Sequence, residues 1–346
     1  MEGLRVAVVG ATGLVGQKIL EILGAGRIPV AELRPMASQR SAGSSVEFRG
    51  KRLTVIPAGP REFAGCDVAF FAAGSSVSKE LAPAAVEQGA ICIDKSNAFR
   101  MNPSVPLVVP EVNSADLALH SGLIASPNCS TIQLVLVLKP IHDAVGLERV
   151  VVSTYQSVSG TGHAAIAELR QQSNDILEGR DARAVVYSRP IAFNLIPQID
   201  SFDDSGYTLE ERKLMDESRK ILGLPDLKVT ATAVRAPVFF AHCEAVNLQT
   251  RKPLTPGDAR RLLAGAEGVS VVDDPQHHLY PTPVDATGRD EVFVGRIRED
   301  HSARNGLNLW IVADNLRKGA ATNAVQILEA LIRKGMVLRP LGGGTV

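Results

Sequence analysis

Cys129 stands in SPNCSTIQLVLVLKP (126–140), between Pro127-Asn128 and a run of apolar residues. A cysteine used as a small hydrophobe belongs inside such a run, not at its threshold. Asn128 is a good N-cap, so Cys129 opens a helix predicted to run through Leu138 and to end at Pro140. A helix N-terminus favours thiolate over thiol, and its N–H groups can stabilise an oxyanion, so Cys129 reads as a nucleophile. Cys66, at a strand edge, and Cys92, inside AICID, read as structural. His242 lies in the predicted strand FAHCEAVNLQ, where alternation puts it on one face with Glu244 and Cys243 on the other. A lone strand histidine is more often structural, and adjacent strand residues point apart, so no metal site is expected here.

A second set of residues can hold an anion. LRVAVVG (4–10) is a short buried strand, and ATGLVGQKILEIL opens a helix with Val15, Ile19, Ile22 and Leu23 on one apolar face. The turn between them carries Gly10, Gly13 and Gly16 in GxxGxxG spacing. Strand, glycine turn and helix N-terminus cradle a dinucleotide pyrophosphate, because bare backbone N–H groups point at the anion. Gly10, Thr12, Gly13, Leu14, Val15 and Gly16 are therefore the expected cofactor turn. An NAD site places an acidic residue at the end of the second strand. In ELRPMASQRSAG, Glu32 comes too early, and the strand end carries Ser38, Arg40 and Ser41. A guanidinium beside two hydroxyls suits a 2′-phosphate, which points to NADP.

These residues need elements to hold them. A single core stops growing near ~250–300 residues, so 346 residues suggest two domains. DVAFFAAG and AICID read as buried parallel strands around the helix SVSKELAPAAVEQG, and GLIASP as a further strand just before Cys129. Ligands bind at the carboxyl ends of strands in a doubly wound sheet, which puts Cys129 where a nicotinamide can reach it. Beyond residue 145 the strands come in runs: ERVVVSTYQSVSG, LKVTATAVR, FAHCEAVNLQ, EVFVGRIRED and GLNLWIVADN. Such runs imply a mostly antiparallel sheet with helices on one face. The helix GAATNAVQILEALIRKG has an apolar stripe at Ala321, Ala324, Val325, Leu328 and Leu331 that suits packing back on the first domain. The fold class is α/β: an N-terminal Rossmann-like doubly wound domain (1–128) and an α+β catalytic and dimerisation domain (129–314), then a returning helix (315–338) and a disordered tail (339–346).

Composition narrows the function. Lys+Arg and Asp+Glu balance at 37 each, so neither a nucleic acid nor a membrane surface is an expected partner. No apolar stretch reaches the roughly 18–20 residues of a membrane span, and no signal-peptide pattern opens the chain. Four scattered cysteines without CxxC spacing suggest reduced thiols and a cytoplasmic protein.

The motifs GATGLVG, ASQRSAG, DKSNAFR, SPNCST, YQSVSGTG, EERK, RAPVFFAH, FVGRIR and DNLRKGAA run in this order over nearly the whole chain. In that order they resemble the aspartate-semialdehyde dehydrogenase family. The resemblance implies an NADPH-dependent reduction of L-aspartyl-4-phosphate to L-aspartate-4-semialdehyde and phosphate, in biosynthesis of lysine (through diaminopimelate), threonine, methionine and isoleucine. It implies a homodimer or a dimer of dimers. By the same resemblance Cys129 would form a thioester, and His242 would be the general acid/base, a task suited to a pKa near neutrality. Gln156 would position the acyl group. Arg235 would fork the α-carboxylate, Glu210 would hold the ammonium, and Arg100 and Lys213 the phosphate, with Asn128 also in the substrate site. Ser159, Gly160 and Asn315 resemble the remaining cofactor contacts. Lys95 and Cys243 depart from the family pattern; Lys95 either adds to the phosphate site or faces solvent. Two alternatives stand beside this reading. N-acetyl-glutamyl-phosphate reductase shares the cysteine–histidine logic, but its acylated amine leaves Glu210 no ammonium to bind. A non-catalytic NADP-binding regulator has no need of Cys129, Gln156 and His242 together.

Overall fold

The computed structural model describes residues 3–26 and 28–337; the tail expected at 339–346 lies outside the described residues. The chain divides into two units, one running to Pro127 and taken up again from Ala320, the other Asn128–Gly319. Asn128, expected to end the first domain, thus heads the second unit, and residues 315–319 belong to the second unit also.

The first unit holds strands β1 (Leu4–Val9), β2 (Val30–Ala37), β3 (Ser45–Phe48), β4 (Lys51–Thr54), β5 (Ile56–Pro57), β6 (Val68–Phe71), β7 (Ile91–Asp94) and β8 (Leu123–Ala125). Six of them form a sheet in the order β5-β2-β1-β6-β7-β8, every pair parallel, while β3 and β4 make a separate hairpin. Parallel strands covered on both faces need continuous apolar runs, and VAFF of β6 is wholly buried. One face packs Val6, Val8 and Phe70 with Ile19 and Leu23 of the helix Leu14–Ala25 and with Ala324, Leu328 and Leu331 of the helix Thr322–Arg333. The other packs Val9, Phe63, Phe71, Leu81, Cys66 and Cys92. Burial raises the pKa of both thiols, the behaviour of structural cysteines.

The second unit holds β9 (Leu147–Gln156), β10 (Lys228–Arg235), β11 (His242–Thr250), β12 (Val269–Val271), β13 (Val292–Asp300) and β14 (Gly306–Ala313), in the order β10-β9-β11-β14-β13-β12. The three inner pairs are antiparallel, but β10–β9 and β12–β13 are parallel. The sheet is therefore mostly antiparallel, as expected, with a parallel pair at each edge. The chain between β9 and β10 carries two long helices, His163–Leu177 and Leu209–Leu222, a connection long enough to bring the next strand back in the same direction.

The helix Cys129–Val145 packs on this sheet and against the helix Leu209–Leu222. Its expected end at Pro140 is wrong: the proline lies inside the helix, which stops at Gly146 (φ +73°). Pro140 removes one N–H from the ladder, yet Leu138 and Ile141 are buried on either side of it. Apolar burial on both sides outweighs the single lost bond. The register then matters for function. Gln156 pairs with Arg235 where β9 and β10 end, and His242 pairs with Ala313 where β11 begins and β14 ends. One end of the sheet gathers the polar side chains.

Candidate active site

In the first unit, the turn after β1 is nearly all backbone. Gly10 has φ +84°, and a Cβ there would lie 2.6 Å from Ala72 O. A Cβ at Gly16 would lie 2.1 Å from Gly10 O, so only glycine lets the helix start close on the turn. The N–H groups of Gly10 and Ala11 donate to Met36 O at 2.8 and 3.0 Å. Gly13 caps the helix Leu14–Ala25 without a side-chain hydrogen bond, and a Cβ on it would meet only Gly10 O, at 3.4 Å. Thr12, Leu14 and Val15 complete an uncovered helix N-terminus, the arrangement that accepts a phosphate anion. Ser38 and Arg40 are exposed just past the end of β2, with Ser41 half-buried beside them. Glu32 lies within β2, 2.6 Å from Arg34. These residues fit a dinucleotide.

The first unit also holds Arg100. Its buried guanidinium donates to Ser126 O through Nε (3.0 Å) and to Lys95 O through Nη2 (2.7 Å). The Lys95 ammonium donates in turn to the Pro127 carbonyl, so this lysine braces the segment leading to Asn128 and does not simply face solvent.

In the second unit, Asn128 caps the helix of half-buried Cys129: its Oδ1 accepts from the N–H of Ser130 (3.0 Å) and Thr131 (3.4 Å). Its Nδ2 donates to Glu210 Oε1 at 2.9 Å, and Gln156 Nε2 donates to the same oxygen at 3.1 Å. Lys213 Nζ bridges Glu210 Oε2 at 3.0 Å and Asp200 Oδ2 at 2.9 Å. Burial alone would raise the Glu210 pKa; Lys213, Asn128 and Gln156 outweigh it and bring it to about 2. Burial likewise opposes the Lys213 charge, and Glu210 with Asp200 more than restores it.

His242 is fully buried. Its Nδ1 accepts from the Ser157 backbone N–H at 3.0 Å, with Ser157 Oγ also at 3.0 Å. A backbone N–H can only donate, so the neutral ring carries its hydrogen on Nε2. Nε2 has no partner among the described residues. It lies 3.4 Å from the Cβ position of Gly160, and Arg235 Nη1 lies 3.3 Å from the same point, so imidazole and guanidinium converge on this glycine. Arg235 is held by Ser157 O (2.7 Å), with the Tyr187 ring 5.8 Å from its Cζ. Burial, then the Arg235 charge, lower the His242 pKa to about 3 against opposing pulls from Glu210 and the Ala241 backbone. The expected near-neutral value is thus not met, because no anion in contact offsets burial and Arg235.

Asn315 Oδ1 accepts from Ser157 Oγ (3.1 Å), Ser159 Oγ (3.0 Å) and the Ala241 N–H (3.1 Å), tying the loop after β9 to the start of β11. A pocket lined by Thr161, Tyr187, Gln198, Asp200 and Arg235 opens beside this web. A more apolar pocket over Trp310, Tyr280 and Pro281 holds none of these residues.

Comparison with known proteins gives the family. Residues 5–120 match the model of the semialdehyde dehydrogenase NAD binding domain, and residues 138–318 that of its dimerisation domain. The aspartate-semialdehyde dehydrogenase of Legionella pneumophila is 53% identical over 96% of each chain. The chain belongs to the aspartate-semialdehyde dehydrogenase family. Aspartate semialdehyde dehydrogenase II of Vibrio cholerae complexed with ASA is 46% identical, with a TM-score of 0.93 over 96% of this chain and 99% of that one. The enzyme from Candida albicans, solved with NADP, is 25% identical with a TM-score of 0.75 over 97% of this chain and all of that one. The chain is accordingly an α/β oxidoreductase with a nicotinamide-binding domain and a dimerisation domain. Among the described residues no helix is long and apolar enough to cross a membrane.

The structure brings Cys129, Asn128, Gln156, Ser159, Gly160, Glu210, Lys213, Arg235, His242 and Asn315 into the second unit, and places Arg100 and the cofactor turn in the first. Sequence reasoning missed Ser157, whose backbone sets the His242 tautomer, and Gly319, where a Cβ would lie 3.0 Å from that of Cys129. It also missed Glu217. The DNLRKGAA motif contains Gly319, so a close approach was readable there; Ser157 acts through its backbone, which no residue type announces.

Proposed function

We propose that this chain reduces L-aspartyl-4-phosphate with NADPH to L-aspartate-4-semialdehyde and phosphate, through a thioester on Cys129. The observation that carries the residue roles is His242 Nε2, buried and unpartnered, converging with Arg235 on Gly160. Cys129 Sγ attacks the acyl carbonyl; the C–S bond forms, the bond to the phosphate oxygen breaks, and the thiol proton leaves with the phosphate. Glu210, held charged, takes the substrate ammonium, and the Arg235 fork takes the α-carboxylate. Gln156, anchored through Glu210, orients the acyl group, while Lys213 and Arg100 receive the phosphate. When bound, the nicotinamide supplies the hydride that reduces the thioester. His242 donates its Nε2–H to the carbonyl oxygen as charge gathers there, and Cys129 departs as thiolate. The tautomer that Ser157 fixes makes His242 a donor to oxygen; the helix N-terminus is left to favour the thiolate.

Arg40 with Ser38 and Ser41 supports NADP over NAD, as does the solved relative that carries NADP. A dimerisation domain supports a homodimer, alone or paired into a dimer of dimers, and four scattered cysteines without CxxC spacing suit the cytoplasm. N-acetyl-glutamyl-phosphate reduction is not favoured, because a buried, charged Glu210 has no use for an acylated amine. The test is NADP reduction by aspartate semialdehyde with phosphate present, followed spectrophotometrically. The expected rate is phosphate-dependent and far above that with N-acetylglutamate semialdehyde or with NAD; an equal or higher rate with the acylated substrate would overturn the reading.

A further inference from the structure

Two of the three buried glutamates on the helix Leu209–Leu222 reach Asn128. Glu210 takes its side-chain amide, and Glu217, two turns on and 1% exposed, accepts its backbone N–H through Oε2 at 2.7 Å. That N–H belongs to an N-cap residue, where helices often close a capping box: a Glu or Gln three residues on reaches back to it. The helix Leu209–Leu222 closes its own box in this way, Glu211 reaching back to the Thr208 N–H. The helix of Cys129 has Thr131 at that position, too short to reach back, and its Oγ1 has no partner among the described residues. Glu217 does from 89 residues away what Thr131 cannot do locally.

A buried carboxylate is costly to keep unless its bonds compensate. Here the bond falls on the backbone N–H of the residue immediately before the nucleophile. We propose that Glu217 is a positioning residue for catalysis: it fixes the Asn128 peptide from a second helix and thereby sets where the Cys129 Sγ points. This rests on the reading of Cys129 as nucleophile. A lost anchor leaves substrate binding to Arg235, Glu210 and Lys213 but lets the sulfur drift from the carbonyl, and a misplacement near 1 Å costs roughly a hundredfold.

The test compares Glu217→Ala, Glu217→Asp and Glu217→Gln in the full-length protein, with Cys129→Ala alongside. Glu217→Ala and Glu217→Asp are expected to lower kcat on the order of 10–100-fold while KM for aspartate semialdehyde and NADP binding stay within about threefold. Glu217→Gln keeps an acceptor oxygen and is expected to recover most of the rate. If Glu217→Ala does not fold, Glu217→Asp, which withdraws the acceptor by one methylene, decides. Unchanged kcat in the shortened variants, or a loss in Glu217→Gln as large as theirs, overturns the positioning role. Turnover in Cys129→Ala overturns the thioester reading instead, so the two failures are told apart.

Discussion

Two helix N-termini serve this protein, and they are built in opposite ways. The helix Leu14–Ala25 begins at a glycine with no side-chain cap, and its turn is bare backbone. The helix Cys129–Val145 begins at Asn128, whose side chain fills the cap and is itself held by Glu210, while Glu217 holds its backbone. An uncovered terminus serves a ligand that brings its own negative charge. A covered one serves a side chain that must not move. The first tolerates no added atom at Gly10 or Gly16; the second tolerates no lost hydrogen bond.

The largest expected effect from a conservative change lies in the covered site. Arg235→Lys keeps the charge but not the fork, and kcat/KM for aspartate semialdehyde should fall roughly a hundredfold with NADPH affinity unchanged. A near-normal kcat/KM would move the carboxylate site elsewhere. In the bare site, Gly16→Ala puts a Cβ 2.1 Å from Gly10 O. It should cost about 1–3 kcal/mol of stability and weaken cofactor binding, whereas Gly13→Ala, with its one contact at 3.4 Å, should leave stability nearly unchanged. Thermal unfolding of the pair checks this, and equal losses would break the contrast.

Cofactor choice is a smaller effect, because Arg40 is exposed. Arg40→Ala should weaken NADPH by about 1–3 kcal/mol and NADH hardly at all; titration of both cofactors decides, and equal losses would remove Arg40 from 2′-phosphate reading.

The covered site also leaves a pH signature. Glu210 is lowered from 4.5 to about 2 and His242 from 6.5 to about 3. Both bind fewer protons folded than unfolded, so their contribution is complete above pH 6.5 and is lost as the pH falls toward those lower values. His242→Gln should flatten the decline of Tm between pH 6.5 and pH 4.5; an unchanged slope would mean that His242 is protonated in the folded state.

What the sequence shows follows the same division. The cofactor turn is local: strand, glycines and helix fall within Leu4–Ala25, so spacing alone reveals it. Asn128 beside Cys129 was readable for the same reason. Arg235 and His242 were readable as residue types, but their convergence on Gly160 comes from strand pairing. The His242 tautomer depends on a backbone N–H 85 residues away, and its pKa on how deeply it is buried. Pro140 misled because its local rule was outweighed by burial of Leu138 and Ile141, which only the packed sheet supplies. The parallel edge pairs of the second, mostly antiparallel sheet were not readable, because runs of strands do not disclose the length of the crossovers between them.

The central claim is that catalysis passes through a thioester on Cys129. With aspartate semialdehyde and NADP but no phosphate, rapid mixing should give a burst of about one NADPH per active site, after which turnover stops until phosphate is added. Cys129→Ala should give no burst while still binding NADP. A burst that survives in Cys129→Ala, or full steady turnover of the unmodified protein without phosphate, would contradict the account.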